Sequence, residues 1–377
     1  MKYFDYKAPD RAEAKDARVS CIGFGGMRFP RNEDGTIDRK AAGALIDRAM
    51  EAGINYYDTA YPYHGGESES FFAEALGKYP RSSYYLADKL PVWKLEKRED
   101  VRTIFEEQLK KCNVDCFDFY LCHALSRKRY DFICELSVLE ELEKLRAEGK
   151  INRLGFSFHD NADALEYILS GYDWDFAQIQ YNYLDYTMQD AKGQQEALVR
   201  HGVPFLIMEP VRGGALINVP KDGLELLKNA GGGSVPSYAI RYAASADGVF
   251  CVLSGMSDFN ALEDNIATAS NFVPVSDNEK DMLSKVADII ISARLLPCTE
   301  CRYCEGCPSG IDIPATLKLY NAYMSSEDKK TLRSETDKFP ARPVSCIACN
   351  ACTSVCPQHI DIPAAMKELA KLTEKPQ

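Results

Sequence analysis

The sequence predicts an α/β fold: a closed barrel of eight strand-helix units, followed by a small, mainly α-helical, cysteine-rich domain. Three observations predict it. Short β-rich runs alternate with amphipathic stretches from residue 18 to about 273, and the runs number eight. Of the 14 cysteines, eight fall beyond residue 297, where the composition changes. At 377 residues the chain is longer than a single core usually supports, so one large domain with a smaller appendage is expected.

The runs, in order, are RVSCIGFGG, INYYDTA, SYYLADKL, FDFYLCHAL, RLGFSFH, FAQIQYNYL, PFLIMEPV and GVFCVLSGM. Between them stand stretches such as DRKAAGALIDRAMEAG, ESFFAEALGKY, VRTIFEEQLKKC and LSVLEELEKLRAEGK, with apolar residues at helical spacing and charges on the other face. Eight such units in about 250 residues match a (β/α)8 TIM barrel. A doubly wound open sheet is the rival. It would carry a glycine-rich phosphate loop opening a helix after its first strand, whereas the Gly25-Gly26 pair runs into a proline and a polar loop. The barrel is expected over 1–290 and the second domain over 291–377.

Hydrophobic residues make up 46%, enough for a full core, and the net charge of -11 leaves nucleic acid and anionic membrane surfaces little to hold. Neither is expected as a partner. No apolar run reaches the about 20 residues of a membrane helix or the length of a signal-peptide core. A cytoplasmic protein is expected, and in a reducing compartment its cysteines suit metal ligation better than a disulfide framework.

Cys346, Cys349, Cys352 and Cys356 read C-x2-C-x2-C-x3-C-P, the spacing that wraps a loop around a cubane so that three thiolates reach three irons. Cys298, Cys301, Cys304 and Cys307 form a similar group, one residue short in its last gap. Two structural zinc sites are the alternative. The consecutive steps of three followed by Cys-Pro favour two 4Fe-4S clusters. CPSGIDIPATLK after the first group recurs as CPQHIDIPAAMK after the second, a repeat of Cys-Pro and Ile-Asp-Ile-Pro-Ala opening a helix. A charged helical segment over 313–339 separates the groups. Cys21, Cys112, Cys116, Cys122, Cys134 and Cys251 lack metal spacing and are expected in the core.

Side chains at the carboxyl ends of barrel strands converge on one site. Asp58 ends the second run, Tyr63 follows in its loop, Lys89 ends the third and His123 the fourth. These four suit protonation of an alkoxide while hydride arrives from the other side. Tyrosine is a weak acid at neutral pH, and Lys89, held by Asp58, is expected to lower its pKa. His123 suits a hydrogen bond to the carbonyl oxygen, where negative charge develops. A buried aspartate-lysine pair also occurs as a plain structural ion pair.

Residues 18 to about 275 resemble the aldo/keto reductases: GFGGMR, DTAYPYHGGESE with tyrosine five residues after aspartate, ADKL, LCHA and GFSFH stand in the family's order. The whole chain resembles the subgroup with a C-terminal ferredoxin-type domain. The resemblance implies that Asp58, Tyr63, Lys89 and His123 are the catalytic four, with Tyr63 the proton donor. It also implies a nicotinamide site of Gly26, Met27, Ser157, Gln178 and Met208, with Gly255, Ser257 and Asn265 from SGMSDFNALEDN. Arg212 is a candidate for holding an anionic substrate or cofactor group. Two departures stand out. Ser157 is followed by Phe158 where the family has asparagine, and Met208 replaces the aromatic residue that stacks on the nicotinamide. The loop lacks basic residues for a 2'-phosphate and Asp258 would repel one, so within NAD(P)H, NADH is favoured. The tail resembles the α-helical ferredoxins, which implies Cys298, Cys301, Cys304 and Cys356 on one cluster and Cys346, Cys349, Cys352 and Cys307 on the other.

The function expected is an iron-sulfur oxidoreductase interconverting a small carbonyl and its alcohol. Hydride moves two electrons as a pair, while each cluster takes one. Three readings of the tail follow. A one-electron carrier such as ferredoxin feeds the site through the clusters, with a flavin as a candidate go-between; or the clusters are structural; or the barrel has lost hydride transfer and serves electron transfer or regulatory binding.

Overall fold

In a computed structural model of the chain, residues 1–9 and 15–373 are described. Strands β1 (Tyr3–Tyr6) and β2 (Ala17–Ser20) pair as an antiparallel hairpin. The remaining strands are β3 (Ile22–Gly25), β4 (Tyr56–Asp58), β5 (Tyr85–Leu90), β6 (Phe119–Leu125), β7 (Leu154–Phe158), β8 (Phe176–Gln180), β9 (Phe205–Met208) and β10 (Val249–Ser254). They close a parallel barrel in the order β10-β3-β4-β5-β6-β7-β8-β9. All eight expected runs form barrel strands, buried on both faces as parallel strands under a helical layer must be. The first run splits at Cys21: its leading residues pair with β1, and β3 alone enters the barrel. β1, with Asp5 in only four residues, carries too short a pattern to read.

The hairpin closes the amino-terminal end of the barrel. Tyr6 is fully buried, with its ring 5.7 Å from that of Phe119 and 5.2 Å from that of Phe250, near the amino ends of β6 and β10. The opposite end, where the strands finish, is the face left for chemistry.

The chain divides into two compact units, Met1–Pro210 with Ser237–Val275, and Val211–Pro236 with Ser276–Gln377. In the second unit, helix Asp277–Ser292 opens on a capping box of Ser276 and Glu279 and packs on helix Lys221–Asn229. The repeated Ile-Asp-Ile-Pro phrase acts alike at both of its copies. Asp312 accepts the Ala315 N–H at 3.1 Å to cap helix Ile313–Ser326, and Asp361 accepts the Ala364 N–H at 3.1 Å to cap helix Ile362–Thr373. The segment between the cysteine groups breaks where Glu327 turns left-handed (φ 56°) and Asp328 caps a second helix, Lys329–Thr336. Ile313, Leu317, Tyr320, Leu332, Met366 and Leu369 lie in a small core of this unit.

Among the described residues, no helix is long and apolar enough to cross a membrane. Of the cysteines expected in the core, Cys21, Cys112, Cys122 and Cys251 are buried. Cys116 is partly exposed and Cys134 exposed, because the latter ends a short surface helix, Arg127–Glu135.

Candidate functional site

Asp58 is the last residue of β4, Lys89 the fifth of β5 and His123 the fifth of β6; Tyr63 opens the turn after β4. All four are buried. Lys89 Nζ donates to Asp58 Oδ1 at 2.6 Å and to the Thr59 carbonyl at 2.7 Å, and lies 3.5 Å from the Tyr63 hydroxyl. The His123 ring stands 6.1 Å from that of Tyr63, at 85° to it. The four residues expected from the strand ends therefore form one cluster.

The backbone is bent to aim them. His64, directly after Tyr63, and Ala124, directly after His123, are left-handed, with φ of 51° and 56°. At Ala124 the β6-β7 register shifts, and the freed Ala124 N–H donates to Ser157 Oγ at 2.7 Å. A bulge of this kind turns the preceding side chain toward the mouth and persists only where its surroundings hold it.

Behind Lys89 lies a buried polar layer that sequence reasoning missed. The Lys89 carbonyl accepts from Gln108 Nε2 at 3.0 Å, while Gln108 Nε2 also reaches Glu69 Oε1 at 3.1 Å and Gln108 Oε1 accepts from the Tyr120 hydroxyl at 2.6 Å. The signal was present in part. Val101, Phe105, Gln108 and Cys112 form one buried stripe of helix Glu99–Cys112, and a glutamine on an apolar stripe marks a hidden partner. Trp93 was also missed; its ring lies 5.0 Å from that of His123.

Burial sets the proton positions. It holds the Tyr63 hydroxyl well above the ordinary phenol range, with the charges of Asp58, Glu209 and Asp88 pushing the same way and Arg28 opposing. The lowered value expected beside Lys89 is not what the site shows: the resting group is the neutral phenol. Burial, then the charge of Lys89, holds His123 well below the usual imidazole range, so its ring is neutral. Burial raises Asp58 too, against the pull of Lys89.

The residues expected to hold a nicotinamide meet varied surroundings. Ser157 and Gln178 are paired in register on β7 and β8 and both are buried. Gln178 Oε1 has no hydrogen-bond partner among the described residues, and a buried amide oxygen of this kind suits an incoming N–H donor such as a carboxamide. Met208 is half-buried at the end of β9, paired with Gln180. Met27 is half-buried and Ser257 exposed. Three of the set have local structural partners. Gly26 donates its N–H to the Asp58 carbonyl at 2.8 Å, and a Cβ there would come within 2.8 Å of Ser68 Oγ. Gly255 lies under the aliphatic stem of Arg28, whose Nη2 bonds Glu209 Oε1 at 3.0 Å. Asn265 Nδ2 holds Ser254 Oγ at 2.9 Å. Arg212 opens the turn Arg212–Gly214 in the second unit, where it reaches Gln358.

Cys298, Cys301, Cys304 and Cys356 line one cavity, together with Leu317 and Ile360 among others. That is the first of the two cysteine sets implied by the ferredoxin resemblance, including the exchange of Cys356 for Cys307. Four thiols around an apolar-walled space fit the donor set of a 4Fe-4S cluster. Of the second set, Cys307, Cys346 and Cys352 pack against the core of this unit and Cys349 is exposed. Among the described residues no group of three or more His, Cys, Asp or Glu gathers as a single-ion site.

Comparison with known proteins identifies two regions of the chain. Residues 21–288 match the aldo/keto reductase family and residues 297–360 the 4Fe-4S dicluster domain. The chain belongs to the aldo/keto reductase family of oxidoreductases and carries a C-terminal 4Fe-4S dicluster domain. Among its relatives is L-galactose dehydrogenase of Arabidopsis thaliana, 26% identical over 72% of this chain and 91% of that protein. NADH-specific methylglyoxal reductase of Escherichia coli is 30% identical over 42% of this chain and 53% of that one. An aldo-keto reductase from Bacillus halodurans in its holo form superposes with a TM-score of 0.63 at 23% identity, covering 76% of this chain and 96% of that one.

Protein prepared without oxygen is expected to carry about eight irons and eight acid-labile sulfides per chain, measured by colorimetric iron and sulfide analysis. Zinc without sulfide would contradict the cluster assignment.

Proposed function

We propose that the barrel interconverts a small carbonyl compound and its alcohol, with Tyr63 as proton donor. The observation that carries this reading is the buried cluster of Tyr63, Lys89 and Asp58, with Lys89 Nζ 2.6 Å from the aspartate and 3.5 Å from the phenol. Bound nicotinamide supplies the hydride that reduces the carbonyl carbon. Tyr63 then gives its proton to the carbonyl oxygen, leaving a tyrosinate. The Lys89 cation stabilises that negative charge, and Asp58 keeps the lysine in place. Neutral His123 orients the carbonyl oxygen through one ring N–H, and the substrate rests near Trp93. The names of the relatives, a dehydrogenase of L-galactose and a reductase of methylglyoxal, support a small oxygenated substrate.

Ser157 and Gln178 are the side chains we assign to the nicotinamide amide. Gly26, Met27, Met208, Gly255, Ser257 and Asn265 shape the remainder of that site. NADH is the preferred donor: Asp258 caps helix Phe259–Ser270 by accepting the Ala261 N–H at 2.9 Å, so the helix end that would attract a 2'-phosphate already carries a carboxylate. The second domain, with Cys298, Cys301, Cys304 and Cys356 on one cluster and Cys346, Cys349, Cys352 and Cys307 on the other, handles electrons singly. A ferredoxin-type protein is the class of partner that supplies them. Joining single electrons to a two-electron reduction calls for a carrier able to do both, and a flavin is such a cofactor. One observation favours a second reading, a barrel without hydride transfer: Met208 offers a thioether where a stacking ring would lie.

Tyr63→Phe should lower carbonyl reduction at least about a hundredfold, the scale of a positioned general acid, with iron content unchanged. Lys89→Met should do similar damage, since it removes the cation beside the tyrosinate and strands Asp58. Steady-state rates beside iron analysis check both, and an unaffected Tyr63→Phe enzyme would remove the tyrosine from the mechanism.

Cys349→Ser is expected to abolish turnover driven by reduced ferredoxin or a viologen dye while leaving NADH-driven reduction largely intact. The ratio of the two anaerobic activities decides. An unchanged ratio with a lowered melting temperature would make the clusters structural, because lost metal binding is lost folding energy.

A further inference from the structure

Two carboxyl groups, Asp88 and Glu69, lie fully buried behind the proposed reductase site, and the proposed proton transfer uses neither. Asp88 is the fourth residue of β5, next to Lys89, and Glu69 stands in the first turn of helix Ser68–Leu76. Successive strand residues face opposite sides of a sheet, so Lys89 points into the barrel and Asp88 toward the helices. There Asp88 Oδ2 accepts from the Cys112 thiol at 3.7 Å and Glu69 Oε1 accepts from Gln108 Nε2 at 3.1 Å, both donors on helix Glu99–Cys112. The two carboxyls also hydrogen-bond each other.

Together they hold Lys89 by its backbone. Asp88 Oδ1 accepts the Lys89 N–H at 2.8 Å, and the Gln108 amide that bonds Glu69 also donates to the Lys89 carbonyl at 3.0 Å. The side chain so anchored is the one that reaches Asp58 and lies 3.5 Å from the Tyr63 hydroxyl.

The hydrogen bond between the carboxyls fixes their protonation, because such a bond forms only if one of them keeps its proton. The nearby cations are engaged elsewhere. Lys89 Nζ pairs with Asp58, while Lys111 Nζ, 3.3 Å from Glu69 Oε2, is shared with Glu107 at 2.9 Å. Besides Glu69, the described partners of Asp88 are two neutral donors, the Lys89 N–H and the Cys112 thiol. Burial, with the charge of Glu69, holds Asp88 well above the ordinary carboxylate range against the charge of Lys89; burial raises Glu69 as well, against the charge of Lys111. The proton therefore rests on Asp88. Its place matters to the site in front: burial already holds Tyr63 neutral, and the charge of an ionised Asp88 would add to that and oppose a tyrosinate.

We propose that Asp88 and Glu69 share a single proton and serve as positioning residues of the reductase site, gripping the Lys89 backbone while placing one negative charge behind it instead of two. The positioning role rests on the reading that Tyr63 gives up its proton beside Lys89; the shared proton stands on the carboxyl cluster alone.

The test uses the full, cluster-replete chain and two near-isosteric variants, Asp88→Asn and Glu69→Gln. Infrared spectra at neutral pH, in H2O and in D2O, should show a deuterium-sensitive C=O band of a protonated carboxyl in the wild type that Asp88→Asn lacks. In Glu69→Gln an amide N–H donates to Asp88 where a carboxylate had repelled its charge, so Asp88 ionises and the band is lost there too. Single-turnover hydride transfer from NADH to small aldehydes and ketones, methylglyoxal first, should then slow at least about tenfold in Glu69→Gln, which sets an anion beside Lys89, and by less in Asp88→Asn, which keeps a neutral group there. A wild-type spectrum without the band, or one that Asp88→Asn leaves unchanged, would overturn the shared proton. The wild-type spectrum needs no variant, so it decides even where a variant fails to fold. Equal slowing in both variants would overturn the positioning role, and wild-type protein inert toward every carbonyl probe would overturn it together with the reductase reading.

Discussion

The candidate active site depends on one buried ion pair, Lys89 with Asp58. Burying two charges is costly, and removing one partner of such a pair typically costs about 3–5 kcal/mol because the other is left unpaired. The barrel meets that cost by construction. Adjacent strands β4 and β5 bring the two residues together, the Thr59 carbonyl accepts a further hydrogen bond from the ammonium, and the Gln108 amide ties the lysine backbone from behind. With the cation so fixed, a neutral phenol and a neutral imidazole stand beside it.

Burial explains why the pair and the phenol must be read together. The same exclusion of water that holds Tyr63 neutral would make its anion unaffordable without Lys89. The chemistry proposed for the barrel is complete in these side chains plus a hydride donor. The internal repeat of the cysteine-rich unit places an aspartate helix cap after each Cys-Pro, so its two cysteine groups are each followed by a helix that starts in the same way.

Much of this was legible in the sequence. The eight barrel runs declare themselves by composition and spacing, and Asp58, Lys89 and His123 by their places at the ends of three successive runs. Other features were hidden for physical reasons. The hairpin of β1 is four residues long and takes its meaning from Tyr6, which packs on Phe119 and Phe250 far along the chain. Gln108 and Glu69 become partners only through the fold. The direction of the Tyr63 pKa could not be read from the sequence, because burial, the largest cause, is a property of the fold. The contact of Arg212 with Gln358, 146 residues away, likewise forms only through the fold.

Hydride-coupled proton transfer at the site around Lys89 is the activity we propose. It is tested most directly by giving the cluster-replete protein a small carbonyl compound and NADH deuterated at the transferring position of the nicotinamide, and locating the label in the product. One deuterium on the carbinol carbon is expected for each NADH oxidised. Product that forms without the label, or NADH left unoxidised by protein with its clusters intact, would contradict it.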